Sequence, residues 1–338
     1  MKYTFLLVLV FTACAHQSTH STDRSLIRKE VAMLPGWSKW TIAKTDGTTL
    51  DIFGVVDEVK RPVVVMLIGS RCQPLFQLKG GAVTTPLLEK DAQFFRSRGF
   101  HTVALERRGI KSFEPLPEAI QKLPGTQRCS ESYGGLTKSD RIEDSRDAIV
   151  ALSREPWFGD LILMGHSEGG DVISGLSNKL KGLNIKALGF FAGAGNSLFY
   201  NFILRGRKGA ASKNVAEVFE NLIWITSSEA NGKFGGYPYA RMKSFAIDST
   251  PLDDVLKNDI PIFIANGSRD EKEPIEDADA FAVEVLRKQP LRPIRYVNYM
   301  QLNHDLENKQ GVDEGRETLA DFLAWVKKPE PARSFQLK

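Results

Sequence analysis

Leu161-Ile-Leu-Met-Gly-His-Ser167-Glu-Gly-Gly170 is the stretch that decides the fold. A short apolar run leads into Gly165-His166-Ser167-Glu168-Gly169, which fits G-x-S-x-G, and Asp171 to Leu180 reads as a helix. Strand, sharp turn and helix form the context in which this motif displays a serine. The turn must be tight enough to force that serine into a strained backbone conformation. Gly165 and Gly169 remove side chains that would collide with the elbow and its neighbours. The hydroxyl then stands at the C-terminal end of a strand, above the N-terminus of the next helix. The bland alternative is a Gly-rich turn.

A serine alone is a poor nucleophile; it needs a base to take its proton and an acid to orient that base. The chain holds five histidines. His16 and His20 lie in an N-terminal polar tract. His166 sits inside the elbow and cannot reach the oxygen of its own neighbour. His101 opens the apolar run Thr102-Val-Ala-Leu105, at the wrong end of a strand for a site at carboxyl ends. His304 remains. It follows a strand at Ile294 to Tyr299, expected to be the last, and precedes a C-terminal helix.

A candidate for the orienting acid lies between these two residues. Pro261-Ile-Phe-Ile-Ala-Asn-Gly267-Ser-Arg-Asp270 ends a strand at Ala265, turns at Gly267 and displays Asp270 just beyond. Glu271, Glu273 and Asp305 compete. Glu271 points away from a neighbour that faces the histidine, and Asp305 directly follows His304, which places it poorly for bonding that ring.

With these residues in view, the chain from about Trp37 to Lys327 resembles an α/β-hydrolase-superfamily serine hydrolase. The order Ser167, Asp270, His304 is the family order. Gly69-Ser70 follows the apolar strand Val63 to Ile68, where the family places an oxyanion-hole loop. Glu106-Arg-Arg-Gly109-Ile-Lys-Ser112 resembles the family's acidic-x-Arg-Gly-x-x-Ser turn. Two departures stand out: the His-Gly pair common before the oxyanion loop reads Ile68-Gly69, and Ser70-Arg71-Cys72 fits no oxyanion signature.

The resemblance implies a mechanism. Ser167 attacks an acyl carbonyl, His304 takes its proton and later gives it to the leaving group, and Asp270 fixes the ring tautomer. The oxyanion donors are the backbone N–H groups of Glu168 and Ser70, with Arg71 the alternative to Ser70. Losing one such donor typically costs about 3 kcal/mol in the transition state. Neither a cofactor nor a metal is required, and the sequence offers no H-E-x-x-H, C-x-x-C or P-loop.

The N-terminus carries a second signal. Lys2 supplies a positive start, and Tyr3 to Phe11 is apolar but too short to span a bilayer. It reads as a signal peptide core. Phe11-Thr-Ala-Cys14 resembles a bacterial lipobox, with Phe11 where Leu is usual. The resemblance implies removal of residues 1–13 and a lipid anchor on Cys14 in the bacterial cell envelope; ordinary cleavage beside an incidental cysteine is the alternative. Residues 14–30 then form a polar tether. Export permits a disulfide between the two other cysteines, Cys72 and Cys129, both expected on the active-site face. Two free, buried thiols are the alternative.

Roughly 325 residues would remain, long for one domain but ordinary for an α/β core with an insertion. Apolar content of 42% and charged content of 25% fit a globular protein. A net charge of +4 without a basic-aromatic stripe gives no case for nucleic acid.

Trp37 to Ala43 and Thr48 to Val55 read as a hairpin around Asp46-Gly47. A helix is expected over Leu87 to Ser97, a strand over Thr102 to Leu105, and an irregular loop over Ser112 to Tyr133. Ser139 is the expected cap of a helix running to Leu152, and Ile185 to Phe191 is a strand. The alternation predicts an α/β fold with a doubly wound, mostly parallel sheet. The core divides into 31–195 and 258–328, interrupted by a helical cap at 196–257 and followed by a tail at 329–338. Nine aromatics, from Phe199 to Phe245, fill the cap segment. Asn231-Gly-Lys-Phe-Gly-Gly236 reads as a hinge, and Arg205, Arg207 and Lys208 as a small basic cluster.

These features point to cleavage of an acyl ester in a small molecule. A peptidase or amidase of the prolyl-peptidase-like type, acting on a short peptide, comes second, and a thioesterase third. An aminopeptidase needs carboxylates to grip the substrate amine, for which Glu168, Glu217 and Glu220 are candidates. A non-catalytic envelope lipoprotein is the reading from another class.

Overall fold

A computed structural model describes residues 26–70, 73–79, 82–84, 88–114, 118–123, 134–209, 212–227, 232–312, 314–329 and 333–338. Cys14, Arg71, Cys72 and Cys129 lie outside the described residues, and with them the anchor and the disulfide. No described helix is long and apolar enough to cross a membrane.

In chain order the first strands are β1 (Ile27–Glu30), β2 (Ser38–Ala43), β3 (Thr49–Val55), β4 (Arg61–Leu67), β5 (Gln77–Lys79), β6 (Ala82–Thr84) and β7 (His101–Leu105). Then come β8 (Phe158–His166), β9 (Ile185–Phe191), β10 (Lys233–Phe234), β11 (Tyr237–Pro238), β12 (Ile262–Gly267), β13 (Ile294–Tyr299) and β14 (Arg333–Leu337). The first five helices are α1 (Leu88–Arg96), α2 (Glu118–Gln121), α3 (Lys138–Leu152), α4 (Glu168–Ser177) and α5 (Leu198–Lys208). The others are α6 (Ser212–Thr226), α7 (Tyr239–Ala246), α8 (Pro251–Val255), α9 (Ile275–Lys288) and α10 (Gly315–Lys327).

Ten strands make one sheet in the order β1-β2-β3-β7-β4-β8-β9-β12-β13-β14. The pairings from β7 to β14 are parallel, and those from β1 to β7 antiparallel. This is the mostly parallel sheet that alternating strands and helices predict.

Both faces of the central strands are buried, which is why they read as near-continuous apolar runs. In β8, Leu161 and Leu163 enter one apolar layer, while Ile162 and Met164 enter the other. The first layer is completed by α3, α4 and α9 through Ile149, Ile173 and Phe281; α1 and α10 complete the second through Phe95 and Phe322.

Four local readings change. The α3 cap is Thr137, not Ser139. Thr137 Oγ1 accepts from Asp140 N–H, and the Asp140 carboxylate accepts from Thr137 N–H at 2.9 Å. Thr and Asp three apart satisfy two donors reciprocally, which Ser139 inside the first turn cannot do. The loop after β7 contains the short α2. Residues 27–30, assigned to the tether, pair with β2 as an antiparallel edge. Residues 333–337, assigned to the tail, pair parallel with β13, so β13 is not the last strand. Too few apolar residues mark either edge strand for the period to show.

The segment between β9 and β12 holds the helices α5 to α8 and the hairpin β10–β11. Phe199, Val218, Ile225, Met242 and Ala246 give it a small apolar centre of its own. The expected hinge is, from Gly232 on, the hairpin β10–β11. Gly235 and Gly236 both have positive φ, 58° and 87°, as a tight two-residue hairpin turn requires. Phe219 and Trp224 of α6 stay exposed, so the cap aromatics are not all packed inside it.

Phe322 is fully buried between Phe191 and Phe263, over the backbone of Gly189. Phe322→Ala removes the ring that joins α10 to β9 and β12. It is expected to cost about 3–5 kcal/mol in a chemical denaturation experiment.

Candidate active site

Ser167 has φ 54° and ψ −133°, in a region that costs a non-glycine residue of order 1–3 kcal/mol. The surrounding backbone holds it there. Ser167 N–H donates to Phe191 O at 3.0 Å, and Gly170 N–H donates to Ser167 O at 2.7 Å. The two flanking glycines are required by close approach. A methyl on Gly165 would lie 2.4 Å from Gly169 O, and one on Gly169 would lie 2.1 Å from Leu67 O. The elbow is thus wedged against the end of β4.

Asp270 and His304 are brought together across the ends of β12 and β13. His304 Nδ1 lies 2.9 Å from Asp270 Oδ2 and 3.1 Å from Oδ1. The aspartate is 3% exposed, and its Oδ1 also accepts the N–H groups of Lys272 and Glu273, each at 2.8 Å. Three donors converge on one carboxylate and fix its plane. Glu271 and Asp305 make no such contact with the ring.

No hydrogen bond joins Ser167 to His304 among the described residues. The link between them is His166, whose Nε2 lies 2.8 Å from His304 O, with the two rings 5.0 Å apart. The sequence excluded His166 as a base, and nothing in the pattern assigned it this bracing contact. His101 is buried at the far end of β7 against Val59 O, 2.8 Å away. Burial pulls its ring below the usual histidine range.

The loop after β4 runs against the nucleophile. A methyl on Gly69 would lie 2.6 Å from Ser167 Cβ and 2.9 Å from its Oγ. Ser70 follows directly. The loop is braced by Arg107, which donates to Gly69 O at 3.2 Å and to Gln73 O at 2.5 Å. Glu106 is buried below it. It accepts Leu75 N–H at 2.8 Å and the Ser112 hydroxyl at 2.7 Å. Desolvation pushes the Glu106 carboxyl up, against the pull of Arg107 and these donors. The acidic and Ser positions of the turn motif are therefore partners in space.

Glu168, beside the nucleophile, is bonded by Arg141 and Arg241. Desolvation opposes its charge, but the two guanidiniums hold its carboxyl below the usual range.

Three further carboxylates, Asp171, Asp277 and Glu273, lie within electrostatic reach of one another; of these the sequence marked only Glu273, as a competitor for the orienting acid. Asp171, on the first turn of α4, is pushed up to about 7 by desolvation, with Glu168 and Asp277 adding to the rise against Lys138 and Arg141. Asp277, on α9, is 2% exposed and also pushed up to about 7 by desolvation, although it accepts from Asn196 N–H at 2.8 Å. Glu273 is driven well above its usual range by burial and by Asp171, Asp270 and Asp277; the Asn201 amide of the cap donates to it. Asp171 comes from α4, whereas Glu273 and Asp277 lie four positions apart around the start of α9, so no spacing joins the first to the other two. Glu217 and Glu220, the proposed cap acids, are exposed on α6.

No family model matches the chain, and no curated protein matches it in sequence. Solved structures do. An α/β hydrolase, GrgF from Penicillium sp. sh18, is 16% identical, with 87% of this chain covering 99% of that one and a TM-score of 0.56. Acetyl xylan esterase 1 from Thermoanaerobacterium sp. JW/SL YS485 is 12% identical, with 90% covering 89% and a TM-score of 0.57. Acylaminoacyl peptidase from Pyrococcus horikoshii is 14% identical, with 92% covering only 42% of that longer chain and a TM-score of 0.55. At these identities the likeness speaks for architecture, and the architecture of this chain is the α/β-hydrolase fold.

Proposed function

We propose that the protein is a serine hydrolase that cleaves an acyl ester through an acyl-enzyme. The observation that carries this is the strained Ser167 at a strand end, braced through His166 to a histidine already bonded to a buried aspartate. In the reaction, Ser167 Oγ attacks the acyl carbon and His304 Nε2 takes its proton. Asp270, fixed by two backbone donors, holds the proton on Nδ1 and stabilises the imidazolium. The tetrahedral oxyanion takes the N–H groups of Glu168 and Ser70. His304 returns the proton to the leaving alcohol. Water then attacks the acyl-enzyme, giving its proton to His304, and Ser167 is released with the acid. The contact from Ser167 to His304 forms with substrate bound; such contacts are often long in the free enzyme. In this reading the protein works at the bacterial envelope, tethered by a lipid on Cys14.

A second reading is favoured by the carboxylates. A peptidase that grips a substrate amine needs acidic groups near the scissile bond; Glu273 N–H bonds Asp270, and Asp171 and Asp277 act on the Glu273 carboxyl. The similar solved structures include a peptidase as well as an esterase. Asp277 and Glu273 are already engaged within the protein, by Asn196 N–H and by the Asn201 amide, so the ester reading leads.

A fluorophosphonate probe on the form beginning near Ser21 is expected to add one adduct, seen as intact mass, that is absent in Ser167→Ala and His304→Ala. A folded wild type without an adduct would sink this reading. Neutral p-nitrophenyl esters should be turned over faster than peptidyl anilides. Asp171→Asn should leave the KM for those esters unchanged; a rise in KM confined to free-amine substrates would move the assignment to the peptidase.

Asp277 also gives a stability test. Its pKa is raised on folding, so the penalty for its charge is absent below about pH 4 and complete above about pH 7. Asp277→Asn should stabilise the protein at pH 8 by up to about 4 kcal/mol and by nothing at pH 4, measured by denaturant titration.

A further inference from the structure

Glu168 is the centre of an ion triad that the reaction as written does not use. Arg141 of α3 bonds its Oε1, and Arg241 of the cap helix α7 bonds its Oε2 at 2.5 Å. The second terminal nitrogen of Arg141 donates to Ile68 O at 2.8 Å. The second terminal nitrogen of Arg241 donates to Leu136 O, just before the capping Thr137 of α3. Arg241 is 2% exposed, and its guanidinium lies 4.9 Å from the Tyr237 ring centre and 4.8 Å from that of Phe245. Nearby, Lys138 N–H donates to Ser244 Oγ of the same cap helix at 2.9 Å.

Burying three charges is a poor way to gain stability, since apolar residues of similar volume often do as well or better. What such a triad supplies is fixed geometry. Both of its anchor points bear on the oxyanion hole. Glu168 carries one donor, and Ile68 immediately precedes the Gly69-Ser70 segment that carries the other. Arg141 bridges the two through its side chain. Arg241 holds the remaining oxygen of Glu168 and belongs to the cap.

We propose that Arg141 and Arg241 are positioning residues that set the separation of the two halves of the oxyanion hole, and that seating Arg241 makes the docked cap a condition of full transition-state stabilisation. The inference rests on the reading of Ser167 as the nucleophile. A displaced cap withdraws Arg241, leaves Glu168 held by Arg141 alone, and lets the Glu168 N–H drift from the position the oxyanion will occupy. Ground-state binding of the acyl group needs neither guanidinium.

The test uses the full-length protein in detergent, with p-nitrophenyl ester kinetics, inhibition by a trifluoromethyl ketone, and thermal melting for the wild type, Arg241→Met, Arg241→Lys and the double variant Glu168→Gln/Arg241→Met. The ketone forms a hemiketal oxyanion and so reports on the hole directly. Arg241→Met should lower kcat about 10- to 100-fold, less than or comparable to deleting a donor, with KM within about twofold. The ketone Ki should rise by the same factor. Arg241→Lys should recover part of the loss, because it keeps the charge but not the fork. Arg241→Met leaves Glu168 paired with Arg141, so no carboxylate is stranded; the double variant breaks that pair as well and should show at least the same fall in kcat. Wild-type kcat and Ki in either folded methionine variant would overturn the inference. Fluorophosphonate labelling of the wild type is the control: without it the nucleophile reading fails, and this inference falls with it.

Discussion

Close packing of backbone around Ser167 is the constraint on which the rest of the site depends. The serine adopts a conformation that a free chain avoids, and it does so because two strand ends and a helix turn leave no alternative. The end of β4 touches Gly169, β9 accepts the Ser167 N–H, and the first turn of α4 closes back on the serine carbonyl. Each of these contacts is made by main chain, so the elbow tolerates few substitutions. The strain is offset by the apolar layers on both faces of the sheet, which fix where those strand ends lie.

The loops that meet the elbow are fixed by a different means. Here buried charge and directed donors replace apolar packing. Glu106 and Arg107 brace the loop after β4, and three donors converge on Asp270. Loop backbone has no ladder to satisfy it, so carboxylates and guanidiniums supply the missing partners. The site is therefore rigid on the sheet side and ionic on the loop side.

This division explains what could be read from the sequence. The elbow, the strand ends and the order of Ser167, Asp270 and His304 are local patterns: each residue sits a fixed few positions beyond an apolar run. Arg141, Arg241, Asp171 and Asp277 are surrounded in sequence by ordinary helical charges, and their meaning arises only where α3, α4, α7 and α9 converge. His166 looked inert because its role is a ring contact with a loop 138 positions away. The Thr137 cap was legible, since Thr-x-x-Asp is a capping signature, but the neighbouring Ser139 masked it. The edge strands β1 and β14 escaped because one face of each is solvated and their residues are largely polar.

Those same edge strands bear on how the molecule behaves in concentrated solution. Among the described residues, an open sheet of ten strands ends in two edge strands, β1 and β14, and an open edge is a template for stacking copies end to end. At one end the sequence is Ile27-Arg-Lys-Glu30, with Arg28 paired to Glu58 at 2.8 Å. At the other, Arg333-Ser-Phe-Gln-Leu337 is followed by Lys338, whose Nζ lies 2.7 Å from Asp321. A copy approaching either edge must strip water from charge before it can pair. Lysine and arginine at the borders thus oppose fibre-like polymerisation, and the cost falls on two short strands far from Ser167.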